Sequence, residues 1–486
     1  DHVVELGYLR RNASGFVEPA PTFWCSSYGQ VDEPAPAPEL GADSIGELLN
    51  RRPADEPGDS PTDVERRALP FAGLRVVDFT AFWAGPIVGN YLATLGAEVI
   101  KVESAKRLDG IRYQTKLGLD EPNWWEFGGL FQGVNTNKRS VTIDMSSGEG
   151  RAVAERLIAN CDVVIENFSP RVLESWGLGY ERIREINPAT VLVRMPAYGL
   201  DGPWRDWTGY AQTIEMVSGM TWMTGFPDAP PTVPNGPCDP IAGTHSTLAL
   251  IAALMHRRRT GEGGQVTAPM VGGGLRVCAE QVVEASAYGN VRGRDGNRSP
   301  DAAPQGVYLA ADTDRDGASD RWVAISVVSD DQWRELRRLL GDPTWAGDPD
   351  LDSLEGRRAG HDFLDERLAA WCAQRSAASI VEALLNAGIP AAVAVLPHEA
   401  ASVDQLRARG FFETTDHPLI GKIVVSGYPG QFERIGAWQQ RPAPLLGADN
   451  HAVLTAIAGL DDTELAELER RGVVGGVPVV NSNFTA

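Results

Sequence analysis

Apolar and polar positions form their clearest pattern early in the chain, where two apolar runs are separated by a glycine-proline break. The run Leu74–Phe79 predicts a buried strand, Ile87–Leu95 predicts a helix, and Ala97–Val102 predicts a second buried strand. Pro86 suits the first turn of the helix because its missing N–H would have no partner there. One strand–helix–strand unit favours parallel pairing in a doubly wound sheet. Ligands bind beyond the carboxyl ends of such strands, so Ala81–Pro86 is a candidate binding loop.

The same alternation continues through residues 71–290, which we interpret as the first part of a large α/β domain. Further strands are predicted at Ser140–Met145, Asp162–Phe168, Thr190–Met195 and Gly264–Met270. Helices are predicted at Tyr180–Ile186, Trp207–Ser218 and Pro240–Arg258, and another, capped by Ser147, is predicted to run to Asn160.

The pattern changes over residues 297–355, which are richer in loops. A strand at Trp322–Val327 and a helix at Asp330–Leu340 predict a small second domain there. The chain is then expected to return to the large domain over residues 360–480. The elements predicted first in this return are helices at His361–Ala373, Ala378–Ala387 and Glu399–Arg409, and a strand at Ala391–Leu396.

A short internal repeat marks both ends of the chain. Pro36–Ser44 reads PAPELGADS and Pro442–Asn450 reads PAPLLGADN, so seven of nine positions agree. Each copy is followed by a run with helical character, Ile45–Asn50 and His451–Ile457. We interpret residues 1–50 as the tail of an upstream copy of the same domain type. Residues 51–70, rich in proline and acidic residues, have the composition of a linker, and we expect a fusion or a fragment of a tandem protein.

Charge and cysteine content narrow the classes of partner and compartment. The 486 residues carry a net charge of −21, which argues against nucleic acid and anionic membranes as partners because both attract basic faces. No apolar run reaches the length of a membrane span. Five scattered cysteines without metal-type pairing favour a reduced, cytoplasmic compartment. No metal site is predicted.

Asp239 is the strongest candidate for catalysis because it stands just before the predicted helix Pro240–Arg258. The plain interpretation is an N-cap, since aspartate before proline is a common helix start. The alternative is a carboxylate nucleophile, which needs no base at neutral pH because its ordinary pKa is about 4. Such a group can attack a thioester to form a mixed anhydride, and the helix N-terminus would favour its ionised form.

Two polar motifs lie next to predicted strands. Asn137-Lys138-Arg139 precedes a strand and is either a solvated basic turn or a phosphate contact. Glu166-Asn167-Phe168 ends a strand at the expected ligand edge. It is either a turn asparagine followed by a core phenylalanine, or a ligand contact.

The chain resembles the family III CoA-transferases, which include formyl-CoA transferase and crotonobetainyl-CoA:carnitine CoA-transferase. The resemblance covers Phe71 to Val474, and the repeat copy near the end belongs to it. Its long motifs read GLRVVDFTAFWAGPIVGNYLATLGAEVIKVE, NTNKRSVTIDM, DVVIENFSPRVLESWGLGYERIREINP and HRRRTGEGGQVTAPM. The resemblance implies a Rossmann-like large domain with a small second domain. It also implies two subunits interlaced as linked rings, as a homodimer or as an intramolecular pair in a tandem fusion.

The resemblance also implies the chemistry. Asp239 would attack a donor acyl-CoA to form an acyl-aspartyl anhydride, the freed thiolate would give an aspartyl-CoA thioester, and a carboxylic acid acceptor would finally take the coenzyme A. Matching positions imply coenzyme A contacts at Trp83, Ala84, Ile143, Asp144, Met145, Ser146, Asn167, Phe168 and Ser169. Tyr210 lies where the coenzyme A or the acyl group would pass.

The chain also departs from the family pattern. Formyl-CoA transferase has a glutamine at the position of Trp83, and basic residues that contact coenzyme A there fall on Ser104, Ser146, Ser175 and Thr208 here. We hypothesise that Lys106, Arg107, Arg139 and Arg171 supply the missing phosphate contacts.

Two other functions stay open on the sequence. The racemase branch of the family uses a Gly-His-Asp motif, which reads Gly209-Tyr210-Ala211 here, so one of two proton-transfer groups is missing and transfer is favoured. A non-catalytic coenzyme A-binding partner also stays open because fold does not fix function.

Overall fold

The computed structural model describes residues 2–27, 39–42, 69–313, 317, 320–433 and 435–479. The chain divides into two compact units. The large unit comprises Asp1–Thr221, Val233–Arg292 and Ala408–Ala486, and the small unit comprises Trp222–Thr232 and Gly293–Arg407. The predicted helix Ile45–Asn50 and most of the predicted linker lie outside the described residues.

The described strands and helices follow in chain order. The strands are β1 (Leu9–Arg11), β2 (Val17–Pro19), β3 (Trp24–Cys25), β4 (Arg75–Asp78), β5 (Glu98–Glu103), β6 (Arg139–Thr142), β7 (Val163–Glu166), β8 (Val191–Arg194), β9 (Gly264–Thr267), β10 (Gln305–Thr313), β11 (Asp320–Ser326), β12 (Ala391–Val393), β13 (Phe412–His417) and β14 (Gly421–Ser426). The helices are α1 (His2–Glu5), α2 (Ala84–Thr94), α3 (Gly129–Val134), α4 (Gly148–Ala159), α5 (Pro170–Ser175), α6 (Tyr180–Ile186), α7 (Ala211–Ser218), α8 (Met220–Met223), α9 (Cys238–Thr260), α10 (Met270–Val277), α11 (Ala279–Tyr288), α12 (Asp330–Leu339), α13 (Leu354–Ala359), α14 (His361–Cys372), α15 (Ala377–Asn386), α16 (Asp404–Ala408), α17 (Asn450–Ala456) and α18 (Asp462–Arg470).

A seven-stranded sheet forms the centre of the large unit. Its order is β3-β9-β8-β7-β4-β5-β6, and only the pairing of β3 with β9 is antiparallel. The strands are short and apolar because the sheet is buried on both faces. In β4, Val76 joins the apolar core on one face and Val77 joins the core on the other. The prediction of an α/β fold with a parallel sheet is confirmed.

The order of the parallel strands reverses between β4 and β7, since β5 follows β4 on one side and β8 follows β7 on the other. In open parallel sheets a crevice for ligands forms at such a switch point, outside the carboxyl ends of the strands. The loop after β4 and the loop after β7 therefore border the expected ligand crevice.

The small unit contains an antiparallel sheet of order β10-β11-β12. The sequence analysis placed residues from 360 onward in the large domain, but β12 pairs with β11 and helices α14 and α15 contribute to a core around Trp333. The chain therefore returns to the large unit at Ala408. The predicted helix Glu399–Arg409 is instead a 3-10 turn, Pro397–Ser402, followed by the short α16.

Residues 2–27 pack onto the large unit. Val3 and Tyr8 belong to its apolar core, and β3 adds an edge strand beside β9. The segment interpreted as the tail of an upstream copy thus contributes a strand to this sheet. Among the described residues, no helix combines the length and the apolarity needed to cross a bilayer.

Candidate active site

The loop between β4 and α2 is fixed in place from three sides. The side-chain amide of Asn167, just after β7, accepts from the Ala81 N–H and donates to the Ala81 carbonyl, both at 2.8 Å. The N–H of Phe82 donates to Asp109 Oδ1 at 2.8 Å. Phe82 has a φ of 64°, a left-handed conformation that is costly for a bulky residue and is often found at functional sites.

A buried ion pair, Lys101 with Asp109, also stabilises the β4–α2 loop. Lys101, fully buried on β5, donates to the Thr80 carbonyl and to Asp109 Oδ2, both at 2.9 Å. Asp109 therefore connects Lys101 with the Phe82 N–H. Because each buried charge has a partner, the network avoids the large penalty of an unpaired buried ion.

Asp239 lies within the first turn of α9, one residue after the helix begins at Cys238. The N-cap position of this helix is Pro237, so the plain interpretation of Asp239 as the N-cap residue is wrong. The Oδ1 atom is buried and has no hydrogen-bond partner among the described residues. A buried polar atom without a partner is costly and is typical of a group that meets its partner only when a ligand binds.

Glu215 binds backbone N–H groups at the start of α9, as the side chain of a capping residue would. This carboxylate, fully buried on α7, accepts from the N–H groups of Asn235 (3.2 Å) and Gly236 (2.8 Å), with a longer contact to the Cys238 N–H at 3.5 Å. The turn before α9 is thus held by Glu215, which leaves the Asp239 carboxyl free.

Two causes raise the pKa of Asp239 from 3.8 to about 7: burial is the larger, and the negative charge of Glu215 is the second. The group is therefore near its midpoint at neutral pH. A strongly shifted acid with a specific charged neighbour is a candidate functional group.

Close backbone contacts bring the β4–α2 loop to the start of α9. A Cβ on Gly236 would lie 2.7 Å from Cζ3 of Trp83, and one on Gly243 would lie 2.7 Å from the Ala84 carbonyl oxygen. Only glycine permits this approach, and Gly236 also has a φ of 124°. Trp83 and Ala84 therefore lie directly against the first two turns of α9 and the turn that precedes it, which include Asp239.

Tyr210 also contacts the β4–α2 loop. Its ring packs edge-on against Phe82, with centroids 5.6 Å apart, and more than half of the Tyr210 side chain is exposed. His245 lies six residues after Asp239 in α9. Its Nδ1 atom is buried and has no hydrogen-bond partner among the described residues. Burial lowers the pKa of His245, with the charge of Arg276 as a second cause.

The other positions expected to contact coenzyme A lie at the carboxyl ends of β6 and β7. Ile143 and Met145 point into the core, so their side chains are not available to a ligand. Asp144 Oδ1 accepts from the N–H and hydroxyl of Ser146, and Asp144 Oδ2 accepts from Lys106 Nζ at 2.6 Å. Phe168 packs against Trp176, whereas Ser169 precedes α5.

The predicted phosphate-binding cations divide into two groups. Lys106, Arg107 and Arg171 are exposed and follow the carboxyl ends of β5 and β7. Arg139 begins β6 and so lies at the opposite edge of the sheet. There it pairs with Glu98 at 2.6 Å and Asp449 at 3.2 Å.

Lys138, the central residue of the motif Asn137-Lys138-Arg139, has neither of the roles predicted for the motif. Lys138 is fully buried and donates to Asp78 Oδ2 and to the Pro86 carbonyl, both at 2.9 Å. It is a structural cation that ties β4 to α2, so a solvated turn and a phosphate contact are both wrong for this residue.

The sequence analysis missed Glu215, although a signal was present. The buried positions of α7 are Ala211, Ile214, Glu215 and Ser218, which is the spacing of an apolar helix face. A glutamate on such a face must be paired with polar groups or shifted in pKa, and it therefore identifies a polar contact inside the fold.

Comparisons with known proteins identify the family to which the chain belongs. Residues 71–450 match CoA-transferase family III. A succinyl-CoA–D-citramalate CoA-transferase of Chloroflexus aurantiacus is 31% identical over 412 residues, which cover 84% of this chain and 99% of that protein. A probable CoA-transferase of Mycobacterium tuberculosis is 31% identical over 456 residues, or 91% of this chain and 54% of that protein. A solved CAIB/BAIF family protein from Brucella suis aligns with a TM-score of 0.72 at 29% identity, covering 80% of this chain and 100% of that one.

Proposed function

Since the chain belongs to CoA-transferase family III, we propose that it moves coenzyme A from an acyl thioester to a carboxylic acid with Asp239 as the nucleophile. The observation that carries this assignment is the buried Asp239 carboxyl, whose Oδ1 has no partner among the described residues. Its position beside the β4–α2 loop supports the same role.

The proposed reaction proceeds through two kinds of covalent intermediate. An oxygen of the Asp239 carboxylate attacks the thioester carbonyl, the C–S bond breaks, and the thiolate leaves as a mixed anhydride forms. The thiolate then attacks the Asp239 carbonyl and releases the donor acid, which gives an aspartyl-CoA thioester. The acceptor carboxylate attacks that thioester, and the thiolate finally takes the acceptor acyl group and frees Asp239.

We further propose a Rossmann-like large unit that works in an interlaced pair. Numbered among themselves, β4 to β9 have the order 3-2-1-4-5-6, which is that of dinucleotide-binding sheets. This order supports the placement of the coenzyme at the switch point. The pair would be a homodimer or two copies within one longer chain.

The coenzyme's phosphates are proposed to contact Lys106, Arg107 and Arg171, because these cations follow the carboxyl ends of strands. Replacement of each by alanine is expected to weaken coenzyme A binding about three- to tenfold, as one charge-assisted contact is lost. Arg139→Ala is the control, since it removes an equal charge from the opposite edge. Equal losses in all four variants would argue for net charge rather than for a defined phosphate site.

The nucleophile is tested by trapping. The chain is incubated with an acyl-CoA, quenched with hydroxylamine and digested, and the peptide with Asp239 is expected to carry the hydroxamate mass. Asp462→Asn, an exposed acid in the first turn of α18, is the control for Asp239→Asn and should still be trapped. A panel of donors that includes succinyl-CoA defines the acyl class. Turnover by Asp239→Asn, or a folded wild type that gives no adduct with any donor, would contradict the proposal.

A further inference from the structure

The N-terminal segment repeats the order of elements found where the chain returns from the small unit to the large unit. Helices α1 and α16 are each followed, two residues after their ends, by a glycine with left-handed backbone. These glycines are Gly7, with a φ of 68°, and Gly410, with a φ of 60°. Two residues after each glycine an antiparallel hairpin begins, β1–β2 in one case and β13–β14 in the other. The duplication is therefore structural and extends well beyond the repeated nine residues.

The described part of the first repeat copy also has the backbone of the second. Gly41 and Gly447 occupy the same repeat position and have φ values of 82° and 65°. One backbone hydrogen bond closes each turn, donated by Ala42 at 3.0 Å and by Ala448 at 3.1 Å. The two copies thus fold into the same turn.

The second copy shows what this turn packs against. Leu446, at 3% exposure, packs in an apolar cluster with Leu108 and Trp124. The Leu446 N–H donates to Glu126 Oε1 at 2.9 Å. We call this surface, formed by Leu108, Trp124 and Glu126, the anchor surface.

The first copy leaves the equivalent side chain uncovered. Leu40 stands at the position of Leu446 and is fully exposed. The anchor surface of this large unit is already occupied by Leu446. The hairpin β1–β2 packs elsewhere, where the Val17 N–H donates to Ser286 Oγ at 2.7 Å. Two copies of one segment therefore use two different surfaces of the same unit.

Building on the pair of large units proposed above, we propose that the Leu40 turn docks on the anchor surface of the second large unit, in the place that the Leu446 turn fills in this one. The partner is a second copy of this fold, because the turn sequence and backbone match the copy that fills the surface here. The hairpin β1–β2 then lies on one large unit and the Leu40 turn on the other. The M. tuberculosis relative, of which the matched stretch covers 54%, has the length for two such units.

The proposal is tested by removing the Leu446 side chain from the anchor surface and measuring whether the first repeat copy binds there. A labelled peptide of residues 34–50 is titrated into the whole chain as wild type, as Leu446→Asp, and as Leu419→Asp, which alters a partly exposed leucine of the β13–β14 hairpin. Binding is expected only to Leu446→Asp, and at least tenfold weaker when the peptide carries Leu40→Asp. A peptide of residues 440–452 gives the reference affinity. If that peptide binds Leu446→Asp and the 34–50 peptide does not, the proposal is overturned.

A second variant serves if Leu446→Asp does not fold. The single change Leu445→Glu gives residues 442–449 the sequence of residues 36–43, and it keeps Asn450, which accepts from the buried Thr142 N–H at 2.8 Å outside the anchor surface. If the first copy is built for the same surface, the whole chain should fold with a Tm lowered by at most about 5 °C. Failure of this variant to fold, or a much larger fall in Tm, would show that the first copy does not fit the anchor surface and would overturn the proposal.

Discussion

Glu215→Gln is expected to move the acid limb of the pH–rate profile to lower pH. Only ionised Asp239 can act as a nucleophile, so kcat/KM should rise with pH around the pKa of Asp239, which is about 7. Glu215 is the second of two causes that raise this pKa from 3.8, behind burial. The Asp239 pKa rises by about 3, and the charge of Glu215 therefore accounts for less than half of this rise, or less than about 1.6.

The size of the effect depends on the assay pH. At pH 6, about one tenth of Asp239 is ionised when its pKa is 7, and about one half when its pKa falls to 6. If removal of the neighbouring charge lowers this pKa by about one unit, kcat/KM at pH 6 should thus rise about fivefold. At pH 8.5 the carboxyl is nearly all ionised in both proteins, so little change is expected there.

The assay is the full pH dependence of kcat/KM for wild type and variant. Glutamine keeps one acceptor oxygen for the N–H groups that Glu215 holds, so the fold should lose only about 1–2 kcal/mol. Glu126→Gln, which weakens another buried carboxylate contact, to Arg112, is the control for lost stability and should leave the acid limb unchanged. A folded Glu215→Gln protein whose acid limb stays near pH 7, or moves higher, would refute the electrostatic reasoning.

Three further outcomes follow from the same geometry. Asp239 binds its proton more tightly in the folded chain, so its contribution to stability is full below about pH 4 and is lost as the pH rises through 7. In urea unfolding at pH 8, Asp239→Asn should therefore be about 2–4 kcal/mol more stable than wild type. More than half of this difference in the free energy of unfolding should be lost by pH 5. Gly236→Ala should abolish turnover because its methyl group would meet the Trp83 ring, whereas Gly261→Ala, which also has a positive φ but has open space around it, should lose only about 1–2 kcal/mol and keep activity. Arg171→Ala should raise the Kd for coenzyme A about three- to tenfold in isothermal titration with kcat within twofold, and an unchanged Kd would remove Arg171 from the phosphate contacts.

Local patterns predicted most of the large unit because each strand is short, apolar and bounded by clear breaks. Helix α6 has its predicted bounds, and Ser147 caps α4 as predicted. The return from the small unit was misplaced because α14 and α15 are ordinary amphipathic helices. Their sequences do not reveal which sheet they cover, and only the pairing of β12 with β11 decides it.

Two candidate residues could be located from local motifs alone. Asp239 precedes Pro240 at a predicted helix start and lies in the first turn of α9, and Trp83 lies in the loop after β4 and contacts Gly236 before that helix. Lys138 looked like a surface cation because a charged run is usually solvated, yet its ammonium is fully buried beside Asp78. Partners that are far apart in the chain, such as Asp109 for Lys101 or Glu215 for the α9 turn, become visible only when the fold brings them together.

The position of Asp239 at a helix N-terminus also shows which electrostatic effect is larger. A helix N-terminus stabilises a carboxylate by about 0.3–1 kcal/mol, which is less than one pKa unit downward. Burial and the Glu215 charge act in the opposite direction by about 3 units. The net result is a carboxylate that is half ionised near neutral pH. For acid–base groups, catalysis favours a pKa close to the working pH, and the same balance suits a carboxylate that must first attack a carbonyl and later leave it. The burial of Asp239 and its charged neighbour, more than its place in the first turn of α9, therefore set the ionisation that the proposed acyl transfer would use.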